Sequence, residues 1–137
     1  MRIRVAGADD AQAVLAVWDA ARSGGADMAD GAEDFVRLIE RSPDGVLVAE
    51  DDGRVVGTVI AVWDGWRGSI ARLVVLPSHR RRGIGRALVD AGEETLRAKG
   101  ARRVNVLVFE GDEGAGDLWT TGGYVTDPRI VRYWHDL

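Results

Sequence analysis

Ten residues near the middle of the chain, His79-Arg80-Arg81-Arg82-Gly83-Ile84-Gly85-Arg86-Ala87-Leu88, impose an abrupt change of backbone direction on any fold that contains them. An apolar, strand-like run from Ser69 to Leu76 leads in, and an amphipathic helix pattern leads out to Lys99. Gly83 and Gly85 carry no Cβ, so the backbone between strand and helix can turn tightly and approach a ligand closely. The free N–H groups at a helix start favour an anion. Arg80, Arg81, Arg82 and Arg86 place four positive charges at that end, where they oppose the helix dipole. That local cost makes sense if an anion such as a phosphate or pyrophosphate sits there. Other phosphate loops fit worse. A dinucleotide fingerprint needs glycine where Leu88 stands, and the Gly-Lys-Ser/Thr of a Walker loop is absent.

The setting of this basic loop sharpens the reading. The whole chain of 137 residues carries a net charge of −4, so bulk electrostatics argue against a nucleic-acid partner and leave the arginines as a local anion site. There is no cysteine, which excludes disulfides, thiol catalysis and an acyl-cysteine intermediate. No stretch is long and apolar enough for a membrane span and no signal-peptide core is present, so the cytoplasm is the expected location. Length and an apolar fraction of 46% suit one domain, residues 1–137, with a real core.

Hydrophobic periodicity and turn residues divide the chain into elements. Arg2 to Val5 reads as a strand, Ala11 to Arg22 as a helix ended by Ser23-Gly24-Gly25, and a second helix starts near Asp30 with Phe35, Leu38 and Ile39 on its apolar side. Val46 to Glu50 and Val55 to Trp63 form a hairpin around Asp51-Asp52-Gly53. The turn Asp64-Gly65-Trp66-Arg67-Gly68 leads into the strand Ile70 to Leu76. Beyond the long helix and its Gly100 stop, Arg103 to Phe109 is a strand parallel to a neighbour. A short helix covers Ala115 to Thr121, and Tyr124–Val125 and Ile130 to Trp134 are expected to close the chain as two strands. The order β-α-α-β-β-β-α-β-α-β-β is α+β with a mixed sheet and helices on both faces.

Arg80-x-x-Gly83-x-Gly85, set between a strand and a helix, resembles the pyrophosphate loop of the GCN5-related N-acetyltransferases, the GNAT superfamily, and the element order is similar to theirs over nearly the whole chain. The likeness to small bacterial members implies an acetyl-CoA-dependent N-acetyltransferase. It would act on a primary amine of a small molecule or peptide by direct attack in a ternary complex, without nucleic acid or membrane, and a homodimer is compatible with it. The resemblance implies that backbone N–H groups of Arg80, Arg81, Arg82, Gly83, Ile84, Gly85 and Arg86 hold the pyrophosphate. It also implies that Leu73 and Val75 pair with the pantetheine arm, and that the Val75 amide polarises the thioester carbonyl. A second family pattern, Asn-x-x-Ala-x-x-Leu-Tyr-x-x-x-Gly-Phe, is met here by Asp112, Ala115, Leu118, Trp119, Gly123 and Tyr124. Asp112, Ala115 and Trp119 are thereby expected beside the cofactor.

Two of those positions depart from the pattern. An ionised Asp112 has lost the donor that Asn supplies, and the Trp119 indole donates a hydrogen bond but has no usable acidity where a tyrosine acts as general acid. Three readings stay open. The thiolate leaves unaided, since thiols titrate near about 8.5; or Thr120, Thr121, Tyr124 or Tyr133 substitutes; or the domain is an acyl-CoA-binding or sensor module with little turnover. For deprotonating the amine, Glu50, Asp64, Glu110 and Asp112 are the candidate carboxylates. His79 lies in the loop and His135 near the C-terminus, with no metal-ligand spacing. Trp18 suits a core. Trp63 and Trp66 either line an acceptor pocket with Asp64 and Arg67 or pack a hairpin, and Trp134 suits sheet packing or a subunit contact.

Overall fold

The computed structural model describes residues 1–21, 30–108 and 113–137, which fall into two compact units, Met1–Leu107 and Val108–Leu137. Ser23-Gly24-Gly25, Phe109, Glu110 and Asp112 lie outside the described residues.

The first unit is a five-stranded sheet in the order β1-β2-β3-β4-β5, where β1 is Arg2–Val5, β2 Val46–Asp51, β3 Arg54–Trp63, β4 Gly68–Val75 and β5 Val104–Val106. The first four strands pair antiparallel with their neighbours, and β5 runs parallel to β4 because helix α3, Ile84–Lys99, carries the chain back across the sheet. Helices α1, Ala11–Ala20, and α2, Ala32–Arg41, lie between β1 and β2 in sequence.

The two faces of β3 show how alternation builds the layers. Gly57, Val59 and Ala61 face α3, where they meet Leu88 and Gly92. Thr58 faces the other way, and its hydroxyl accepts the indole N–H of Trp18 on α1 at 2.9 Å. A strand covered on both faces reads as an unbroken apolar run, and residues 55–61 are all buried. Phe35 of α2 closes against Trp18 edge to face, with ring centroids 6.3 Å apart. Trp18 is therefore a core residue. Among the described residues, no helix is long and apolar enough to cross a membrane.

The second unit holds helix α4, Glu113–Thr121, followed by irregular chain. The two closing strands expected at Tyr124–Val125 and Ile130–Trp134 do not form. Apolar, β-prone residues make a strand only where another strand accepts their ladder, and no strand lies in this unit among the described residues. Instead Asp127 accepts hydrogen bonds from the backbone and guanidinium of Arg129, and the Ile130 N–H returns to the Asp127 carbonyl at 3.2 Å, closing a turn around Pro128. Val125, Ile130, Val131, Tyr133 and Trp134 are left exposed, so Trp134 does not pack in a sheet. The fifth strand is also shorter than the expected Arg103 to Phe109.

Candidate active site

Strand β4 and the loop after it supply the site. β5 pairs with β4 only at Gly68↔Val104, Ser69↔Asn105 and Ile70↔Val106. From Ala71 onward, no described strand covers that edge of β4. An uncovered strand edge presents N–H and C=O groups to an extended ligand.

A bulge decides which groups face that edge. Ile60 pairs with Ala71 but Thr58 pairs with Val74, so Arg72 and Leu73 together oppose Val59. The extra residue, Arg72, sits at φ +50°. Past the bulge, the Leu76 N–H donates to the Val56 carbonyl at 2.8 Å. Alternation along an antiparallel ladder then turns Val74 toward β3 and both peptide groups of Val75 outward. The Val75 carbonyl accordingly accepts from Arg80 Nε at 3.2 Å. Regular alternation without the bulge would have sent residues 72 and 74 outward. With it, Leu73 and Val75 face the open edge.

The chain leaves this edge through a 3-10 turn, Pro77–His79, and Arg81 at φ +65°. Gly83 follows at φ +79° as the N-cap of α3, a left-handed conformation that L side chains rarely adopt. No side chain caps this helix, so its first N–H groups have no partner from that source. A Cβ at Gly83 would meet nothing within 4 Å, so the ground over the helix start is open. Arg80, Arg81 and Arg82 are exposed around it. Ile84 spends its side chain in the core, at 4% exposure, and offers only its backbone N–H here, as half-buried Gly85 does after it.

Arg86 corrects the expectation of a fourth cation at the loop. Its guanidinium reaches along the helix to Asp90, at 2.8 and 2.5 Å, and to Glu93 at 3.4 Å. The hydrogen bond to Asp90 holds the group firmly protonated and its charge locally balanced. The i,i+4 spacing of Arg86 and Asp90 carries this pair, and it relieves the dipole conflict without a ligand. His79 is a clip rather than a free loop residue: its Nε2 lies 3.1 Å from Asp51 at the end of β2 and its Nδ1 2.8 Å from Ser78 Oγ.

Two candidate bases are committed to other work. Glu50 receives Arg2 at 3.0 Å and Arg4 at 3.3 Å, which ties β1 to β2 and engages both of its carboxylate oxygens. Asp64 accepts the N–H groups of Arg67 at 2.6 Å and Trp66 at 2.7 Å. These backbone bonds, Arg67 first, hold its carboxyl below the usual carboxylate range and make it a weaker base. It also heads β4 at the opposite end from the loop, separated by the length of an eight-residue strand, about 25 Å at full extension. Trp66 at that turn is 70% exposed under the Arg67 guanidinium, 3.9 Å from its ring centre, so it forms a surface cation–π pair and not an enclosed pocket.

In the second unit, Trp119 is buried and meets Tyr124 edge to face at 4.8 Å, and the Tyr124 N–H donates to the Trp119 carbonyl at 2.9 Å. Ala115 lies within α4. Tyr133 and His135 are exposed. Sequence reasoning passed over Arg72 and Thr58. Nothing in Ile70-Ala71-Arg72-Leu73-Val74 departs from a strand pattern, and a bulge becomes visible only in the register of the partner strand.

The described residues thus form an α+β mixed sheet in which an uncovered stretch of β4 leads to a helix start that no side chain caps. The chain belongs to the Acetyltransferase (GNAT) family, whose profile matches residues 13–124. It is 35% identical to an acetyltransferase of Pectobacterium atrosepticum over 129 residues, covering 92% of this chain and 89% of the relative. Among solved structures it resembles a Mycobacterium tuberculosis protein in complex with CoA, with a TM-score of 0.72, 25% identity, and coverage of 90% of this chain and 70% of the other. It shares its fold with a Salmonella typhimurium protein solved with its cofactor acetyl-CoA, at a TM-score of 0.78 and 21% identity, covering 90% of this chain and 78% of that one.

Proposed function

We propose that this protein transfers an acetyl group from acetyl-CoA to a primary amine of a small molecule or peptide, by direct attack while both substrates are bound. The observation that carries the proposal is the early parting of β5 from β4, which leaves the Leu73 and Val75 peptide groups facing outward on a strand that ends at the Gly83 helix start. The family match crosses from the first compact unit into the second, which supports reading residues 1–137 as one acetyltransferase domain.

The residues present suit such a ligand. Backbone N–H groups from Arg81 to Arg86, with the Arg80, Arg81 and Arg82 side chains beside them, would hold the pyrophosphate. Leu73 and Val75 would hold the pantetheine arm as an added strand does, and the family pattern met by Asp112, Ala115 and Trp119 supports giving those residues to the cofactor as well. Acetyl-CoA supplies the acyl group as a thioester. The N–H groups on the open edge polarise its carbonyl, Val75 foremost, because fixed donors stabilise developing oxyanion charge without reorganising. Orientation of the two substrates supplies much of the remaining rate. Glu50 and Asp64 are assigned no proton, and Trp119 can donate a hydrogen bond without releasing one.

The test is thiol release from acetyl-CoA in the presence of a panel of amines, with Gly83→Glu as the control. Glutamate at φ +79° is strained and places a carboxylate over the helix start. The wild type is expected to turn over at least one amine, and the variant to lose acetyl-CoA affinity by tenfold or more, on the order of 1.4 kcal/mol or above. Tight acetyl-CoA binding with no turnover of any amine would favour an acyl-CoA sensor, the reading that Trp119 at the tyrosine position supports. Unchanged affinity in a folded Gly83→Glu protein would remove the loop from the site.

A further inference from the structure

Thr58 is the only fully buried polar side chain among the described residues, and the retention of a hydroxyl in a core of valines needs a reason. Its Oγ1 accepts the Trp18 indole N–H at 2.9 Å and donates to the Arg72 carbonyl at 3.0 Å. Both capacities are used, so the hydroxyl has one orientation. Arg72 is the bulged residue of β4, in a left-handed conformation that persists only where the surroundings hold it. Its guanidinium lies 4.9 Å from the centre of the same Trp18 ring and pairs with Asp30. One tryptophan thus meets the bulge twice, through its N–H by way of Thr58 and through its ring.

The peptide that joins Arg72 to Leu73 is planar and trans, so its C=O and N–H point in opposite directions. A carbonyl drawn toward the Thr58 hydroxyl turns the Leu73 N–H away from that hydroxyl. We infer that Thr58, oriented by Trp18, is a positioning residue that aims the Leu73 N–H at the carbonyl oxygen of the bound acyl group. The inference rests on the acetyl-CoA reading above and adds to it a buried indole–hydroxyl–carbonyl relay. Leu73 would act beside Val75, and Thr58 itself touches no substrate.

The experiment separates the acyl group from the rest of the cofactor. CoA and acetyl-CoA share every phosphate and the pantetheine arm, and only acetyl-CoA carries the carbonyl that the N–H would meet. Calorimetric dissociation constants are measured for both ligands with wild type, Thr58→Val and Thr58→Ser. The wild type is expected to prefer acetyl-CoA. Thr58→Val should lose about threefold to tenfold of that preference with its CoA affinity unchanged, and Thr58→Ser should keep it. Because valine strands the indole N–H, the double variant Trp18→Phe/Thr58→Val, which removes both polar groups, is measured alongside. In the unaltered protein, the Leu73 amide proton should shift further downfield with acetyl-CoA than with CoA. A Thr58→Val ratio equal to wild type, an equal loss in Thr58→Ser, or a Leu73 resonance that moves equally with the two ligands overturns the relay while the function stands. A wild type that binds neither ligand overturns both.

Discussion

Arg4 shows how much one side chain on an edge strand can organise. Its guanidinium forks onto Asp10, with both contacts at 2.8 Å, and a further edge reaches Glu50 at 3.3 Å. Asp10 also accepts the Gly7 N–H at 2.8 Å, so one carboxylate secures the turn into α1 and the strand before it. The Arg4 hydrogen bonds hold the Asp10 carboxyl below its ordinary value, with the Gly7 N–H adding to the effect. A depressed carboxylate stabilises the fold fully above its unfolded pKa, about 3.9, and the contribution drains away as pH falls through the lower folded value. Asp10→Asn should therefore lower stability at pH 7 by about 1–2 kcal/mol. It should also flatten the loss of stability below about pH 4. Urea titrations at pH 7 and pH 3 read both effects, and an equal penalty at the two pH values would remove the charge from the account.

At the scale of elements, the approach of α3 to the sheet depends on a missing side chain. A Cβ at Gly92 would lie 2.9 Å from Ile70 Cδ1 and 3.9 Å from Val59 Cγ1. Ile70 is also the last β4 residue that pairs with β5. Helix propensity alone favours Gly92→Ala by about 1 kcal/mol, and the contact opposes it. Gly92→Val adds two further carbons and a poorer helix former, and should cost about 1–3 kcal/mol by overpacking. Chemical denaturation of the two variants decides the balance: if Gly92→Val is as stable as wild type, the helix is not seated as described. Element identity was largely legible in the chain. The helix from Ile84 to Lys99 appears where its apolar spacing and its Gly100 stop set it, and so do the hairpin strands around Asp52-Gly53. The closing strands expected at Tyr124–Val125 and Ile130–Trp134 do not form, because alternation records a preference for a sheet and not the existence of a partner.

For the whole molecule, ligand linkage is the simplest check. Acetyl-CoA at about 100 times its dissociation constant should add roughly 2.7 kcal/mol to unfolding. That is a rise of several degrees in Tm for a chain of this size. The shift should shrink as salt rises, since exposed arginines at the loop are screened. A melting temperature indifferent to millimolar acetyl-CoA would leave the fold without its proposed ligand.

What the sequence determined by itself was local. The switch from strand to basic glycine loop to helix lies within one stretch of chain, so residue types and spacing suffice to read it. The family likeness followed from the same contiguous stretch. Tertiary structure decided which charges are free and which peptide groups are offered. Arg86, Glu50 and Asp64 all looked available until folding supplied Asp90, Arg4 and the Trp66–Arg67 amides as partners. The bulge that turns Leu73 and Val75 outward exists only as a mismatch of register between β3 and β4, held by a hydroxyl 14 residues away from Arg72 and an indole 40 residues from that hydroxyl. Partners so distant along the chain meet only when the core closes, and no local pattern can announce them.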